Sequence, residues 1–519
     1  MWEPAVTRRS LLAGAATAAV PLVLPPGVAA ASRRRLRPLR DGTFDCGVMA
    51  GIPGEHAITV WTHVADAARP GTLTLEIAAD EGFSRLVHHQ RVAATALRDF
   101  TARATVRSSR VLRPGERYWY RFATRTGSSP VGRFTTARPA SSRETLRIGF
   151  FSCQNWTAGL YSAHRGLAAE PDLDLVLCLG DYIYEGGGRD AAIGRVDTIG
   201  DGQAQTLDDY RAKYRLYLSD PHLRAMHASA AFAGIWDDHE AENNYAGTAK
   251  GTLADGRRRV DFASRRRNGY TAFFEYGPRT TIPQERHRSY RRIRLGGMAD
   301  VLLLDTRQYR DDQSCDQEIV PCEGTDDRSR TLLGTAQRTW LKQALSASTS
   351  RWKVLANQVM AMALESAPGV PLNPDQWDGY PGDRADVFGH VVRQDIRGVT
   401  VVTGDIHTFF AGEVHPEGRS TGGRPAATEF VGGSITSAGL EREFGGLTPA
   451  AEAGAVAANS PHLRYAQLSR RGYGVLELTG GELRAMFRSP TSVRRADAPV
   501  ETLAQFTVSH ADGRVIRTA

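Results

Sequence analysis

The sequence predicts an α/β fold preceded by a smaller all-β unit, and two textures of the chain predict it. Between Arg40 and Ala137 short runs alternate apolar and polar residues, whereas from Leu146 onward the apolar runs do not alternate and each breaks off abruptly into polar residues. The 519 residues, 41% hydrophobic and 24% charged with 52 Gly and 25 Pro, exclude a disordered tail, a coiled coil and a disulfide mini-protein. That length suggests two domains, or one large domain with an appendage, because single cores stop growing at roughly 250–300 residues. The formal charge of +8 arises from 65 basic and 57 acidic side chains. So small a surplus implies no nucleic-acid partner and reads as an Arg-rich surface, whose field would also draw in anionic substrates.

Residues 1–31 read as a twin-arginine signal peptide. Thr7-Arg8-Arg9-Ser10-Leu11-Leu12 precedes an uncharged Ala/Val/Leu stretch that ends at Ala29-Ala30-Ala31. The stretch is short and broken by Pro21, Pro25 and Pro26, which argues against a membrane anchor. The expected partner is therefore the twin-arginine export machinery, and the expected location is secreted, extracellular or cell-wall associated. This route carries folded proteins, so it fits one that takes up metal before leaving the cytoplasm.

Residues 40–137 contain Ile58–Val64, Thr72–Ile77 and Arg117–Phe122, which have the period of strands, and Pro114-Gly115 is a turn. About a hundred such residues suggest a β-sandwich. Residues 138–145, with Arg138-Pro139-Ala140-Ser141-Ser142-Arg143, read as a linker to a main domain at 146–519.

In that domain six runs end in polar residues. Leu146–Phe151 ends at Ser152-Cys153-Gln154-Asn155, Leu173–Leu179 at Gly180-Asp181, and Ala231–Trp236 at Asp237-Asp238-His239-Glu240. Val301–Leu304 ends at Asp305-Thr306-Arg307, Val354–Ala356 at Asn357-Gln358, and Val399–Thr403 at Gly404-Asp405-Ile406-His407. In an α/β sheet the carboxyl ends of the strands are where ligands bind. Two later runs, Gly474–Leu478 and Phe506–Ser509, are expected to complete a second sheet.

The residues at these ends have the chemistry of a metal centre. Asp181 and Tyr184 leave one tight turn three residues apart, and a phenolate suits a cation acidic enough to remove a proton of ordinary pKa near 10, ferric iron before magnesium or calcium. Asp237-Asp238-His239-Glu240, with Asn243 and Asn244 beyond, is a dense set of oxygen and nitrogen donors, although Asp at a helix start is also common. Asp405 and His407 lie at alternate positions and face the same way. Cys153 is either a buried small hydrophobe or a metal-held thiolate. Of five Cys, Cys315 and Cys322 are the close pair, suited to a local disulfide in an exported protein.

These motifs resemble the PhoD-like alkaline phosphatases, a distant branch of the calcineurin-like metallophosphoesterases. The resemblance covers nearly the whole mature chain, from the β-unit through Phe151-Ser152-Cys153-Gln154, Gly180-Asp181-Tyr182-Ile183-Tyr184-Glu185 and Trp236-Asp237-Asp238-His239-Glu240. It continues through Leu304-Asp305-Thr306-Arg307-Gln308-Tyr309-Arg310, Trp377-Asp378-Gly379-Tyr380 and Gly404-Asp405-Ile406-His407. It implies a four-layer α/β/β/α core, an N-terminal β-sandwich, and a centre of one Fe3+ with Ca2+. Cys153, Asp181, Tyr184 and His407 would surround the iron. Asp181 would bridge to calcium, held further by Asp405 and by Asn243 or Asn244, with Asp238 and Asn244 taken into the ligand set. Purple acid phosphatases carry Gly-His-x-His where this chain has Gly404-Asp405-Ile406-His407, so their scheme does not transfer position by position.

The expected activity is hydrolysis of phosphate monoesters and diesters, small-molecule or phospholipid, by a secreted monomer. His239 and Arg307 are the expected catalytic residues, stabilising transition-state charge. Arg307 equally suits an internal pair with Asp. Trp377–Tyr380 is assigned to the substrate entrance, with packing as the alternative. Arg257–Arg259 and Arg265–Arg267 read as a solvated helix face rather than as steering charges. The rival activities are a phospholipase D-type phosphodiesterase on the same fold, decided by the loops around 310–330 and 440–470, and an inactive cell-wall binding module.

Overall fold

The structure, a computed structural model, describes residues 36–253, 256–315, 322, 324–367, 370–419, 422–442, 448–459 and 461–519. The twin-arginine segment lies outside these residues, as do parts of the loops around 310–330 and 440–470.

The chain is mixed α/β, with two seven-stranded sheets. The six apolar runs divide between them, three to each. In the first sheet Leu146–Phe151 lies between Leu175–Cys178 and Tyr473–Leu478, with Phe232–Gly234 at the edge; Glu482–Pro490, Val500–Ser509 and Val515–Arg517 follow. The strands that carry the early motifs run parallel, and the later ones are antiparallel. Ala299–Leu303, Trp352–Asn357, Val399–Thr403 and Ala427–Gly432 form the parallel centre of the second sheet.

The two late runs therefore do not build the second sheet, which corrects that expectation. Tyr473–Leu478 pairs directly with Leu146–Phe151. Gly474 makes this possible, because a Cβ there would fall 2.0 Å from Cζ of Phe150. The Phe150 ring occupies the space that any larger residue at 474 would need.

Alternation along each strand sends side chains to different apolar clusters. Ile148 and Phe150 join Val301, Val354, Phe430, Phe487 and Phe506, whereas Phe151 packs with Tyr210, Tyr214 and Met226. Likewise Val301 and Leu303 enter the first cluster, and Leu302 and Leu304 pack with Leu341, Leu345, Val387 and Phe388. Strands buried on both faces need apolar residues at every position, which is why these runs did not alternate. The helices begin where capping dictates. Asp220 accepts from the N–H groups of His222 and Leu223, with Pro221 in the first turn of Pro221–Ser229.

The N-terminal strands form a three-stranded sheet of Val48–Ala50, Ala57–His63 and Thr101–Arg107, and a four-stranded sheet of Gly71–Ala78, Leu86–Ala94, Arg117–Ala123 and Gly132–Thr135. Their inward residues Val60, Leu75, Tyr120 and Phe122 share the cluster of the large sheets, and Pro38–Ala519 forms one compact unit. Cys315 and Cys322 are joined as a disulfide.

The contact between the two large sheets is aromatic. Phe506 of the first lies 5.8 Å from Phe430 and 5.4 Å from Tyr465 of the second, ring centre to ring centre. Phe506→Ala opens a cavity between sheets that cannot close independently, so it is expected to cost about 3–5 kcal/mol, read as a lowered thermal or urea midpoint.

Candidate metal centre

The strand ends of both sheets meet, and the predicted residues meet with them. Cys153 Sγ, an Asp181 carboxylate oxygen and a His407 ring nitrogen lie within 4.8 Å of one another. Tyr184 joins this set: its hydroxyl lies 3.0 Å from Asp181 Oδ2, 3.1 Å from His407 Nε2 and 2.7 Å from Ser437 Oγ. A second set is Asp181, Asp238 and His239, and a third is Asp237, Asp238 and Asp405. Asp181 and Asp238 each belong to two sets, so the three are continuous.

The backbone is bent to achieve this. Cys153, Asp181, Asn244, Asp405 and His407 all have left-handed φ, between 52° and 63°. Such values are uncommon outside glycine and cluster at functional sites. Gly180, at φ +114°, lets the Asp181 turn approach its neighbour; a Cβ there would fall 2.4 Å from Asp237 Cβ.

Glu240 aligns the two acidic loops. Its carboxylate accepts from the N–H groups of Asp181 (3.2 Å), Tyr182 (2.6 Å) and Asp237 (2.8 Å). Asn244 meets the centre through its backbone N–H, which donates to Asp238 Oδ2 (2.7 Å), and Asn243 donates likewise to Glu185 Oε1 (2.8 Å). His407 donates from Nδ1 to the Ala438 carbonyl (2.8 Å), which leaves Nε2 as the nitrogen turned to the cluster.

Charge is crowded here. Asp181, Asp237, Asp238, Asp375, Asp405, Glu185 and Glu240 face Arg307, Arg310 and His239, so acids outnumber bases. Burial pushes Asp181 and Asp237 well above the usual carboxylate range, with Asp238 adding in both cases, and burial together with Asp375 brings Asp405 to about 6. Burial opposes a charged His239, but Glu185, Asp181 and Asp238 outweigh it and hold the imidazolium well above its ordinary range. Burial brings His407 down to about 4. Asp181 Oδ1 and Asp237 Oδ2 are buried without hydrogen-bond partners. Unpartnered carboxylate oxygens amid surplus negative charge, with sulfur, phenol and imidazole beside them, fit cations of high charge.

Residues 148–487 match the family model of the PhoD-like phosphatases, and residues 29–138 match that of their N-terminal domain. The chain belongs to the PhoD-like phosphatase family. It is 33% identical over 484 residues to alkaline phosphatase D of Bacillus subtilis strain 168, a match that covers 89% of this chain and 80% of that protein. A solved PhoD structure superposes with a TM-score of 0.82 at 31% identity, covering 92% of both chains. A purple acid phosphatase from yellow lupin seeds shares the fold alone, with a TM-score of 0.56 at 12% identity over 89% of this chain and 73% of its own.

Within this PhoD-like chain Arg307 takes the internal alternative. It is wholly buried, donating through Nε to Asp237, through both terminal nitrogens to Asp375 (2.9 and 2.8 Å), and to Asp405 (3.1 Å). His239 keeps some exposure, at 18% of its side chain, with Nδ1 on Glu185 (2.6 Å) and its ring 4.1 Å from that of Tyr184.

Two readings need correction. Trp377 and Tyr380 do not line an entrance but are buried in the cluster beneath the second sheet, because Pro381–Arg393 begins there and folds them under it. Nor are the arginine runs a purely solvated face: Arg265 is fully buried on Glu242, and Arg258 pairs with the same carboxylate. Asp375, Gln376 and Ser437 escaped the sequence reading. Gln376 holds Asp405 Oδ2 (2.5 Å), and Ser437 links the Tyr184 hydroxyl to the Cys153 carbonyl. Their partners lie far off in the chain, and loops of ordinary polar composition carry no local signal of such a role.

Gly180→Ala is expected to keep the fold yet displace Asp181 from Asp237, lowering kcat/KM about a hundredfold together with bound metal. Circular dichroism and metal counting on the same sample check it.

Proposed function

We propose that this chain is a secreted, metal-dependent phosphatase that hydrolyses phosphate monoesters and diesters, and that its centre holds Fe3+ and Ca2+. Family membership makes it a phosphoric ester hydrolase. Metal dependence is supported by one observation above the rest, the convergence of three donor sets with two unpartnered carboxylate oxygens. Cys153, Asp181, Tyr184 and His407 would hold iron. Asp181, Asp238, Asp405 and Asn244 would hold calcium. When bound, the ions supply charge against the phosphoryl oxygens and an oxygen nucleophile near neutral pH.

The chain's own groups do the rest. Glu185 fixes His239 through Nδ1, leaving Nε2 to donate to a phosphoryl or leaving-group oxygen as negative charge develops there. Arg307 is a positioning residue: its planar fork holds Asp237, Asp375 and Asp405 in register instead of touching substrate. The Ala438 carbonyl and Ser437 hold His407 and Tyr184 in place.

Room for a diester's second alcohol is supported by a cavity of about 370 Å³ beside Ser437, lined by Thr436, Ala438, Arg471 and Arg494 among others. The four-layer α/β/β/α core is supported by the alternation of strand residues between clusters, and a β-sandwich by the two N-terminal sheets. We read the domains as 40–137 and 146–519 with 138–145 between them. Twin-arginine export rests on Thr7–Leu12. Among the described residues no helix is long and apolar enough to cross a membrane.

The purified protein is expected to be coloured by ferric phenolate absorption and to lose activity on calcium chelation. Tyr184→Phe should abolish the colour, and Asp181→Ala should lower both iron content and kcat/KM by at least about a hundredfold. A colourless, iron-free preparation with full turnover refutes the reading. His239→Ala is expected to lower kcat about 10²–10³-fold with metal content unchanged, measured on monoester and diester model substrates side by side.

A further inference from the structure

A second group of donors lies in the N-terminal strands, outside the phosphatase centre. The ladder between Val48–Ala50 and Ala57–His63 continues outward, with Thr43 and Ala65 exchanging backbone hydrogen bonds (3.2 and 2.8 Å). Thr62 also donates its hydroxyl to the Gly47 carbonyl (2.7 Å). This pairing carries Asp45 and Cys46 against His63. His63 Nδ1 lies 2.6 Å from Asp45 Oδ1 and 3.7 Å from Cys46 Sγ, and the three donor atoms lie within 4.8 Å of one another.

The three donor atoms converge on one point, and once His63 Nδ1 and the Cys46 thiol give up their protons, oxygen, nitrogen and sulfur all present lone pairs to a cation there. Zn–S of about 2.3 Å and Zn–N of about 2.0 Å put tetrahedral sulfur and nitrogen ligands roughly 3.5 Å apart, close to the 3.7 Å found, and the 2.6 Å between His63 Nδ1 and Asp45 Oδ1 widens toward about 3.3 Å when the ion replaces the shared proton.

The neighbouring arginines leave the donor atoms free. Arg215 is engaged by Asp99 and the Tyr276 hydroxyl, and Arg224 donates to the Asp45 backbone carbonyl (2.6 Å) and not to its carboxylate. Cys46 and His63 are buried beside Met49 and Trp61, while the Asp45 side chain is 35% exposed. The cluster is therefore enclosed at Cys46 and His63 and reached by solvent at Asp45, where water can complete a fourth position.

We propose that Asp45, Cys46 and His63 form a metal site separate from the phosphatase centre, which binds one Zn2+ or similar borderline-soft divalent ion and releases the Cys46 thiol proton to solvent. Thiolate with imidazole selects such an ion over Ca2+ or Mg2+. The site fixes the segment before the first strand to His63, whose ring stacks on Tyr276 at the end of helix Phe262–Glu275 (5.9 Å between centroids).

The full chain, stripped with chelator and reloaded with Zn2+, is expected to hold one more equivalent than Cys46→Ala or Asp45→Asn, counted by elemental analysis. As purified, without stripping, both variants keep phosphatase activity. With Co2+ as probe, the wild-type thiolate-to-cobalt absorption falls by the Cys46 share in Cys46→Ala. Zn2+ raises the wild-type Tm more than that of either variant. Asp45 is partly exposed, so Asp45→Asn carries the test alone if Cys46→Ala does not fold. Equal zinc counts and equal zinc-induced Tm shifts in wild type and Asp45→Asn overturn the site.

Discussion

Everything at the centre depends on holding like charges together out of water. Two carboxylates whose oxygens are 4–5 Å apart repel by about 3–4 kcal/mol at an effective dielectric of 20. Asp237, Asp238 and Asp405 lie within such a distance, and Asp181 with Asp238. The chain counters with fixed donors and not with many cations. Glu240 takes three backbone N–H groups, Asp238 takes those of His239 and Asn244, and the fully buried guanidinium of Arg307 reaches Asp237, Asp375 and Asp405. Backbone donors cannot move away without unfolding the loop, so they hold repelling groups better than flexible side chains would.

The division into two sheets follows from the same demand. One sheet edge would set the acidic loops side by side; two edges let them approach from opposite sides, with Asp181 and Asp237 from the first and Arg307 and Asp405 from the second. Gln358 joins the edges, donating to the carbonyls of Trp236 (2.8 Å) and Leu304 (2.9 Å) and accepting from Thr306. A single fully buried amide thereby keeps the acidic loop of one sheet in register with the arginine loop of the other.

How much of this was legible depends on the range of the contacts. Asp181, Tyr184, Asp238, His239, Asp405 and His407 follow apolar runs within a few residues, so their place at a strand end could be read locally, as could the pairing of Cys315 with Cys322. The split into two sheets could not, because it rests on Tyr473–Leu478 crossing back to Leu146–Phe151, more than 300 residues away in the chain. Trp377 and Tyr380 misled for a related reason: aromatic residues beside a motif look like an entrance until the helix after them is seen to bury them. Asp375 and Ser437 act on partners tens to hundreds of residues distant, from loops whose composition resembles any other.

The left-handed backbone at the ligand positions ties fold to chemistry. An L-residue there costs on the order of 1–2 kcal/mol, which glycine would avoid. Asp, Asn and, less often, His tolerate the region through hydrogen bonds of their polar side chains, but Cys153 has no such relief, and it is bent all the same. Backbone economy alone would have placed glycine in the place of both Cys153 and His407. That the chain carries a thiol and an imidazole instead means that their side chains, and not their turns, are what these positions supply. The strain is sustained by the surrounding ladder, since the Cys153 carbonyl accepts from Ser437 Oγ and its N–H donates to Gly180, while His407 is anchored on Ala438. Rigid strands on either side thus hold a conformation that an isolated turn would abandon, and the donors stay converged because relaxing any one of them would break contacts made by the next.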